Sequence, residues 1–99
     1  MTSWRLGVIG SPIAHSLSPY LHLAGLKYLG YEGTSVRLDI DQEHAYRIRE
    51  VMGAQFDDLS LTMPLKAVAA TMCDELDERA TALGVVNSVL WREGRLLGA

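Results

Sequence analysis

The chain is short of three features that would assign it to a large class of proteins: cysteine, an excess of basic residues and long apolar stretches. Its 99 residues include one cysteine, Cys73, which excludes an internal disulfide. The formal net charge of −3 offers no basic face to a phosphate backbone. No run approaches the roughly 18 apolar residues of a membrane span. These absences predict a single cytoplasmic domain, with neither nucleic acid nor a membrane as partner.

Two further absences concern cofactors. The dinucleotide fingerprint G-x-G-x-x-G occurs nowhere, and the GVIG segment at residues 7–10 does not replace it. His15, His22 and His44 are scattered, and neither they nor Cys73 show the spacing of a metal site. We therefore expect this domain to bind no nicotinamide cofactor and no metal, and we give each histidine a structural role.

What the chain does contain is a regular alternation of strand and helix signals. Strands are predicted at residues 4–10, 33–40, 58–63 and 85–91, the last continuing through a hairpin at 92–95 into 96–99. Helices are predicted at residues 19–29, 41–53, 64–73 and 74–84. This alternation favours an α/β fold of three layers, α/β/α, around a mostly parallel twisted sheet, with residues 1–99 as one domain.

The first helix carries the clearest start signal. Ser18 is predicted as its N-cap and Pro19 as its first helical residue. The helical spacing is carried by Leu21, Ala24, Gly25, Tyr28 and Leu29, which predict the face that packs on the sheet. Gly25 within that pattern predicts a close approach of the helix to the sheet.

Polar residues collect where the predicted strands end. Ser16 and Ser18 follow the first strand, and Thr62 and Lys66 stand around the end of the third. Ligands of parallel sheets bind outside the carboxyl ends of the strands, so these four residues are site candidates. Asn87 lies near the start of the fourth strand and is an exception to this geometry.

Each candidate has a chemical use and an ordinary alternative. A serine hydroxyl can cap a helix through a lone pair and still donate its proton, so Ser16 and Ser18 could hold a carboxylate. Lys66 sits in a first helical turn, where the helix dipole favours the neutral amine suited to acid and base chemistry. Asn87 could pair with ligand hydroxyls. The alternatives are simple capping, a solvated lysine and an amide that pins a loop.

Three blocks, GSPIAHSLSP, LSLTMPLK and GVVNSVLWREGRLLG, occur in an order and spacing found in one enzyme family. The chain resembles the N-terminal, substrate-binding domain of shikimate dehydrogenases over essentially its whole length. The resemblance implies an amino-acid-dehydrogenase-like N-terminal fold. It also implies the NADP-dependent interconversion of 3-dehydroshikimate and shikimate in aromatic amino acid biosynthesis.

The resemblance also implies a role for each candidate. Ser16 and Ser18 match the serines that bind the substrate carboxylate. Thr62 and Lys66 match the threonine and the catalytic lysine at the substrate hydroxyls. Asn87 matches an asparagine that binds a hydroxyl. The residues singled out by their chemistry are thus the residues that the family pattern uses.

Two departures from the family pattern matter. Ser60 stands where the family has an asparagine, so it is expected to contact substrate through a hydroxyl instead of an amide. The sequence also ends at Ala99, before the family's Asn-Thr-Asp segment and its NADP-binding Rossmann domain. We therefore expect a truncated domain that is not catalytically competent alone, with NADP bound only in the complete enzyme.

Other interpretations stay open at this point. Quinate/shikimate dehydrogenases and relatives acting on aminoshikimate share much of this layout. A standalone, non-catalytic module that binds a small hydroxylated carboxylate fits the same residues. An exposed interdomain face would promote association into a homo-oligomer.

Overall fold

A single six-stranded sheet organises the computed structural model, which describes residues 3–99. The first two residues of the predicted domain lie outside the described residues. The strands are β1 (Ser3–Gly10), β2 (Glu32–Asp39), β3 (Asp58–Leu61), β4 (Glu75–Leu76), β5 (Ser88–Arg92) and β6 (Arg95–Gly98). The helices are α1 (Ser18–Tyr28), α2 (Arg47–Val51), α3 (Lys66–Met72) and α4 (Glu78–Leu83), with a 3₁₀ turn at Gln42–His44.

The strand order across the sheet is β2-β1-β3-β5-β6-β4. The pairs β1–β2, β1–β3 and β4–β6 are parallel, and β3–β5 and β5–β6 are antiparallel. The α/β class is confirmed, and the sheet is a mixed one in which parallel pairings outnumber antiparallel ones by one. Both antiparallel pairings involve β5, which continues into β6 through a hairpin where Glu93 (φ 53°) and Gly94 (φ 76°) adopt left-handed backbone conformations.

The helices cover the sheet from both sides. Helix α1 packs on β1 and β2, and α2, α3 and α4 contribute to the main core on the opposite face. The buried residues there include Ile48 of α2, Leu65 before α3 and Leu59 of β3. Since burying an aliphatic side chain contributes about 1.5–3 kcal/mol, this core holds the polar edge of the sheet in place.

The start of α1 differs from the prediction that Ser18 caps it. Ser18 is already the first helical residue, and the N-cap is Leu17, which makes no side-chain hydrogen bond. The hydroxyl that serves this end is that of Ser16, whose Oγ accepts the N–H of Ser18 at 3.2 Å. The prediction was wrong by one residue, because the N-cap Leu17 lies between two serines that both have a high capping propensity.

The predicted inner face of α1 was also wrong. Leu21 and Tyr28 are 69% and 90% exposed, whereas Pro19 is buried and His22 is half-buried. A Cβ built on Gly25 would meet nothing within 4 Å, so this glycine marks no close approach. Apolar residues surround the helix and gave a misleading periodicity. The side that faces the sheet carries His22, because the sheet there presents hydroxyl groups.

Two predicted helices are interrupted. The segment 41–53 folds as the 3₁₀ turn followed by α2, and the segment 74–84 as β4 followed by α4. Asp77 explains the second break, because its carboxylate accepts the N–H of Ala80 at 2.7 Å and starts α4 there. The two residues of β4 are too few to show a periodicity. None of the helices within residues 3–99 has the length and apolar character needed to cross a bilayer.

Candidate functional site

The loops that follow β1 and β3 meet at one edge of the sheet, because the two strands are parallel neighbours. The N–H of Thr62 donates to the carbonyl of Ile9 at 2.9 Å, and the N–H of Ser11 donates to the carbonyl of Met63 at 3.2 Å. These bonds tie the two loops together. The predicted serines and the predicted threonine and lysine therefore lie on adjoining segments.

Asn87 joins this edge because β5 runs antiparallel to β3, so that the start of β5 lies beside the end of β3. The N–H of Leu61 donates to the backbone carbonyl of Asn87 at 2.7 Å. The Lys66 Nζ donates to the Asn87 Oδ1 at 3.0 Å. The position that was an exception in a purely parallel sheet is thus explained. Asn87 is exposed and precedes β5, so its amide is open to a ligand.

Lys66 is the first residue of α3 and is half-buried. Within residues 3–99 no carboxylate lies within 4 Å of its ammonium group, and its partner is the neutral amide of Asn87. An ammonium group has three donors, and this contact uses one of them. The others can donate to a ligand oxygen, and the amine can exchange a proton with it.

Thr62 is fixed more tightly. Its Oγ1 donates to the Ile9 carbonyl at 3.0 Å, which leaves the oxygen lone pairs to accept a hydrogen bond. Gly10 packs against it, and a Cβ at that position would overlap the Thr62 Oγ1 and lie 3.0 Å from the Met63 carbonyl. Only glycine fits at the end of β1. We name Thr62, Lys66 and Asn87 the lysine wall.

Residues 11–18, which we name the serine loop, form the other side. The Ser16 N–H donates to the Ile13 carbonyl at 3.0 Å, and its Oγ accepts the Ser18 N–H. Arg37 of β2 donates from Nε and Nη2 to the Ser16 carbonyl, at 2.9 and 2.6 Å. Neither serine hydroxyl donates to another group within the described chain, so both protons remain for a ligand.

Ser60 occupies a different position from the other predicted residues. It lies inside β3, half-buried beneath α1, and its Oγ is 2.9 Å from His22 Nε2. His22 Nδ1 is 2.7 Å from the hydroxyl of Ser35. Burial lowers the pKa of His22, which favours a neutral ring with one donor and one acceptor. The Ser60 hydroxyl therefore contacts His22 of α1 and makes no side-chain hydrogen bond to Thr62, Lys66 or Asn87.

Sequence reasoning missed Arg37 and gave His22 only a structural role. The available signal for His22 was its spacing of three residues from Pro19, the buried residue of α1. No signal was available for Arg37, because its partner is a backbone carbonyl 21 residues away.

Away from this edge, residues 3–99 carry a cleft but no metal-binding group. No group of three His, Cys, Asp or Glu residues between positions 3 and 99 is arranged to hold a metal ion. A cleft of about 270 Å³ opens on the sheet face near β5 and β6, and its lining includes Asp58, Ser88 and Leu90. The six predicted site residues are not part of that lining.

The chain matches one family model and is similar to several known proteins. The family model for the shikimate dehydrogenase substrate binding domain matches residues 8–89. A shikimate dehydrogenase (NADP(+)) of Thermus thermophilus is 43% identical over 95 residues, which cover 95% of this chain and 36% of the relative. That of Staphylococcus aureus MRSA252 is 37% identical over 95 residues, covering 95% and 35%.

Solved structures agree with the sequence matches. The Thermus thermophilus shikimate 5-dehydrogenase in complex with NADP(H) and shikimate superposes with a TM-score of 0.88 at 43% identity, covering 96% of this chain and 36% of that one. The Mycobacterium tuberculosis shikimate dehydrogenase gives 0.87 at 33% identity, covering 96% and 37%. The chain spans about a third of the length of the curated relatives that it matches. It belongs to the shikimate dehydrogenase substrate-binding domain family.

Proposed function

We propose that residues 1–99 form the domain that binds shikimate and 3-dehydroshikimate in an NADP-dependent shikimate dehydrogenase. The observation that carries this proposal is the convergence of the serine loop and the lysine wall at one edge of the sheet. One side offers hydroxyl donors suited to a carboxylate, and the other offers groups suited to ring hydroxyls. A similar protein, the Thermus thermophilus enzyme, has been solved with shikimate bound.

The serine loop takes the carboxylate in this proposal. The hydroxyl protons of Ser16 and Ser18 donate to its oxygens, which gives two hydrogen bonds to a charged group. The bond from the Ser18 N–H to the Ser16 Oγ orients that hydroxyl without consuming its proton. A carboxylate here also lies near the amino end of α1, where the helix dipole favours negative charge.

The lysine wall takes the hydroxyls. Thr62 accepts from one of them, since its own proton is given to Ile9, and Asn87 presents its amide beside Lys66. Reduction of the 3-keto group to an alcohol requires a proton at that oxygen, and we place Lys66 there as the catalytic donor. The Asn87 contact holds the ammonium in position. Ser60, whose hydroxyl lies 2.9 Å from His22 Nε2, remains a predicted substrate contact.

NADP is not assigned to these residues. When bound, it supplies the hydride of the reaction. Residues 3–99 present no glycine-rich turn of the dinucleotide type, and the loop after β1 is occupied by Ser11 and Pro12. The proposal therefore concerns substrate binding and proton transfer by this chain. The cytoplasmic location, the self-association and the absence of bound metal expected from the sequence remain predictions.

Calorimetric titration of the chain tests the proposal. We expect shikimate to bind, and cyclohexene-1-carboxylate, which keeps the acid but has no hydroxyls, to bind more than about tenfold more weakly. Quinate and aminoshikimate, titrated in parallel, rank the related substrates. Ser3→Ala is the control variant, because Ser3 lies at the opposite end of β1 and is exposed. Equal affinity for the two ring acids, or no binding of shikimate, would contradict the proposal.

A further inference from the structure

Arg37 is a cation held beneath the serine loop. It lies on β2 opposite Val8 of β1, and it donates two hydrogen bonds to the Ser16 carbonyl. Its side chain is half-buried, and within the described residues no carboxylate comes within 4 Å of the guanidinium. The positive charge is therefore not neutralised by an ion pair.

The surroundings of Arg37 preserve that charge. The guanidinium carbon lies 5.5 Å from the centroid of the Tyr20 ring, a cation–π distance that orients the group without neutralising it. Asp39 follows two residues later on the same face of β2, but it is exposed and lies beyond ion-pair distance of Arg37. Arg5 is different, because it is paired with Asp57 at 2.9 Å.

The hydrogen bonds from Arg37 add to the few backbone hydrogen bonds that hold the serine loop in place. The loop lies between β1 and α1, and it has few backbone hydrogen bonds. Ser16 bonds Ile13 within the loop, Ser11 bonds Met63 outside it, and the Leu17 carbonyl accepts from the first turn of α1. A guanidinium has a planar, fixed arrangement of donors, so two bonds to one carbonyl restrict the orientation of the Ser16 peptide. The orientation of that peptide sets the direction of the Ser16 side chain.

We propose that Arg37 positions the serine loop and selects a carboxylate at it. The inference rests on the proposed function and adds a residue that determines specificity. The two bonds hold Ser16 so that its hydroxyl and that of Ser18 face the ligand, and the uncompensated charge attracts the ligand's anion at short range. Binding of the acid therefore depends on Arg37 more than binding of a neutral analogue does.

The test compares shikimate with its methyl ester on three variants of the chain. Arg37→Gln should weaken shikimate binding about tenfold and change binding of the ester about twofold or less. Arg37→Lys keeps the charge but loses the planar pair of donors, so its affinity for shikimate should lie between those of wild type and Arg37→Gln. Arg47→Gln is the matched control, since Arg47 is exposed on α2 and its loss changes the net charge equally.

Two outcomes would overturn the inference: shikimate binding unchanged in Arg37→Gln, or equal losses for the acid and the ester. A second measurement needs no ligand. Amide hydrogen exchange at Ser16 and Ser18 should be at least about threefold faster in Arg37→Gln than in wild type, with exchange in α2 unchanged. Unaltered exchange would remove the positioning role. Failure of wild type to bind shikimate would instead contradict the proposed function and, with it, the selection of the acid.

Discussion

The serine loop and the lysine wall are held in place by different means. The lysine wall is built on the sheet itself, since Thr62 and Asn87 are tied by backbone bonds to Ile9 and Leu61. The serine loop has few backbone bonds and depends on the side chain of Arg37. The wall with the proposed catalytic lysine is thus the rigid one. The serine loop, which is proposed to recognise the carboxylate, is adjustable by single side-chain changes.

The largest expected effect comes from removing the hydroxyls of the serine loop. Ser16→Ala combined with Ser18→Ala should weaken shikimate binding about a hundredfold, since each hydrogen bond to a charged group contributes roughly 1.5 kcal/mol. The free energy of unfolding should fall by about 1 kcal/mol or less, from loss of the Ser16 bond at the start of α1. Calorimetry and urea unfolding measure the two quantities, with Ser3→Ala as control. A large loss of stability with unchanged affinity would make these serines capping residues only.

The next largest effect is expected from a change that disturbs the junction of the serine loop and the lysine wall. Gly10→Ala places a methyl group against the Thr62 Oγ1 and the Met63 carbonyl. Overpacking of this kind costs about 1–3 kcal/mol, and displacement of Thr62 should weaken shikimate binding as well. Urea unfolding and calorimetry are the measurements. Wild-type stability together with wild-type affinity would show that the junction is looser than the contacts indicate.

A pH-dependent effect on stability is expected from His22. Burial lowers its pKa below the ordinary value of about 6.5, so the unfolded chain binds this proton at a higher pH than the folded one. The contribution of His22 to stability is therefore full above about pH 6.5 and is lost as the pH falls through its folded pKa. His22→Gln should reduce the decline in stability between about pH 7 and pH 5, above the range in which Asp57 titrates. The same pH dependence in wild type and variant would contradict this assignment.

The smallest effect has the opposite sign. Gly25→Ala adds a methyl group in open space inside α1, so the free energy of unfolding should rise by about 0.5–1 kcal/mol. Shikimate affinity should not change, because the helix start and Arg37 are untouched. Urea unfolding checks the stability and calorimetry checks the affinity. A lower free energy of unfolding would contradict this and support the close packing of Gly25 on the sheet that the sequence pattern predicts.

The position of the candidate residues at one edge of the sheet was easier to predict than the packing of the helix beside them. Ser16, Thr62 and Lys66 stand next to strong strand and helix boundaries, and the edge at which they meet follows from the direction of the parallel strands. The inner face of α1 could not be read correctly, because that helix is apolar on several sides and turns His22 towards the sheet.

Contacts between distant side chains account for the rest. Arg37 donates to a backbone carbonyl. Because every residue has such a carbonyl, the sequence gives no sign of this contact. Ser60 was predicted as a substrate residue, and its hydroxyl is found against His22, a contact that depends on how α1 lies on β3. The antiparallel direction of β5 was needed to place Asn87, and only the pairing with β3 reveals it.

The most direct test is a titration of the ¹⁵N-labelled chain with shikimate, followed by NMR at the backbone amides of the serine loop and the lysine wall. We predict that the amide chemical shifts of Ser16, Ser18, Lys66 and Asn87 change together and give one Kd. The amide shifts of Gly25 and Glu93, which belong to neither the serine loop nor the lysine wall, should not change. Shifts confined to one wall, or different Kd values for the two, would contradict the claim that the serine loop and the lysine wall bind a single ligand.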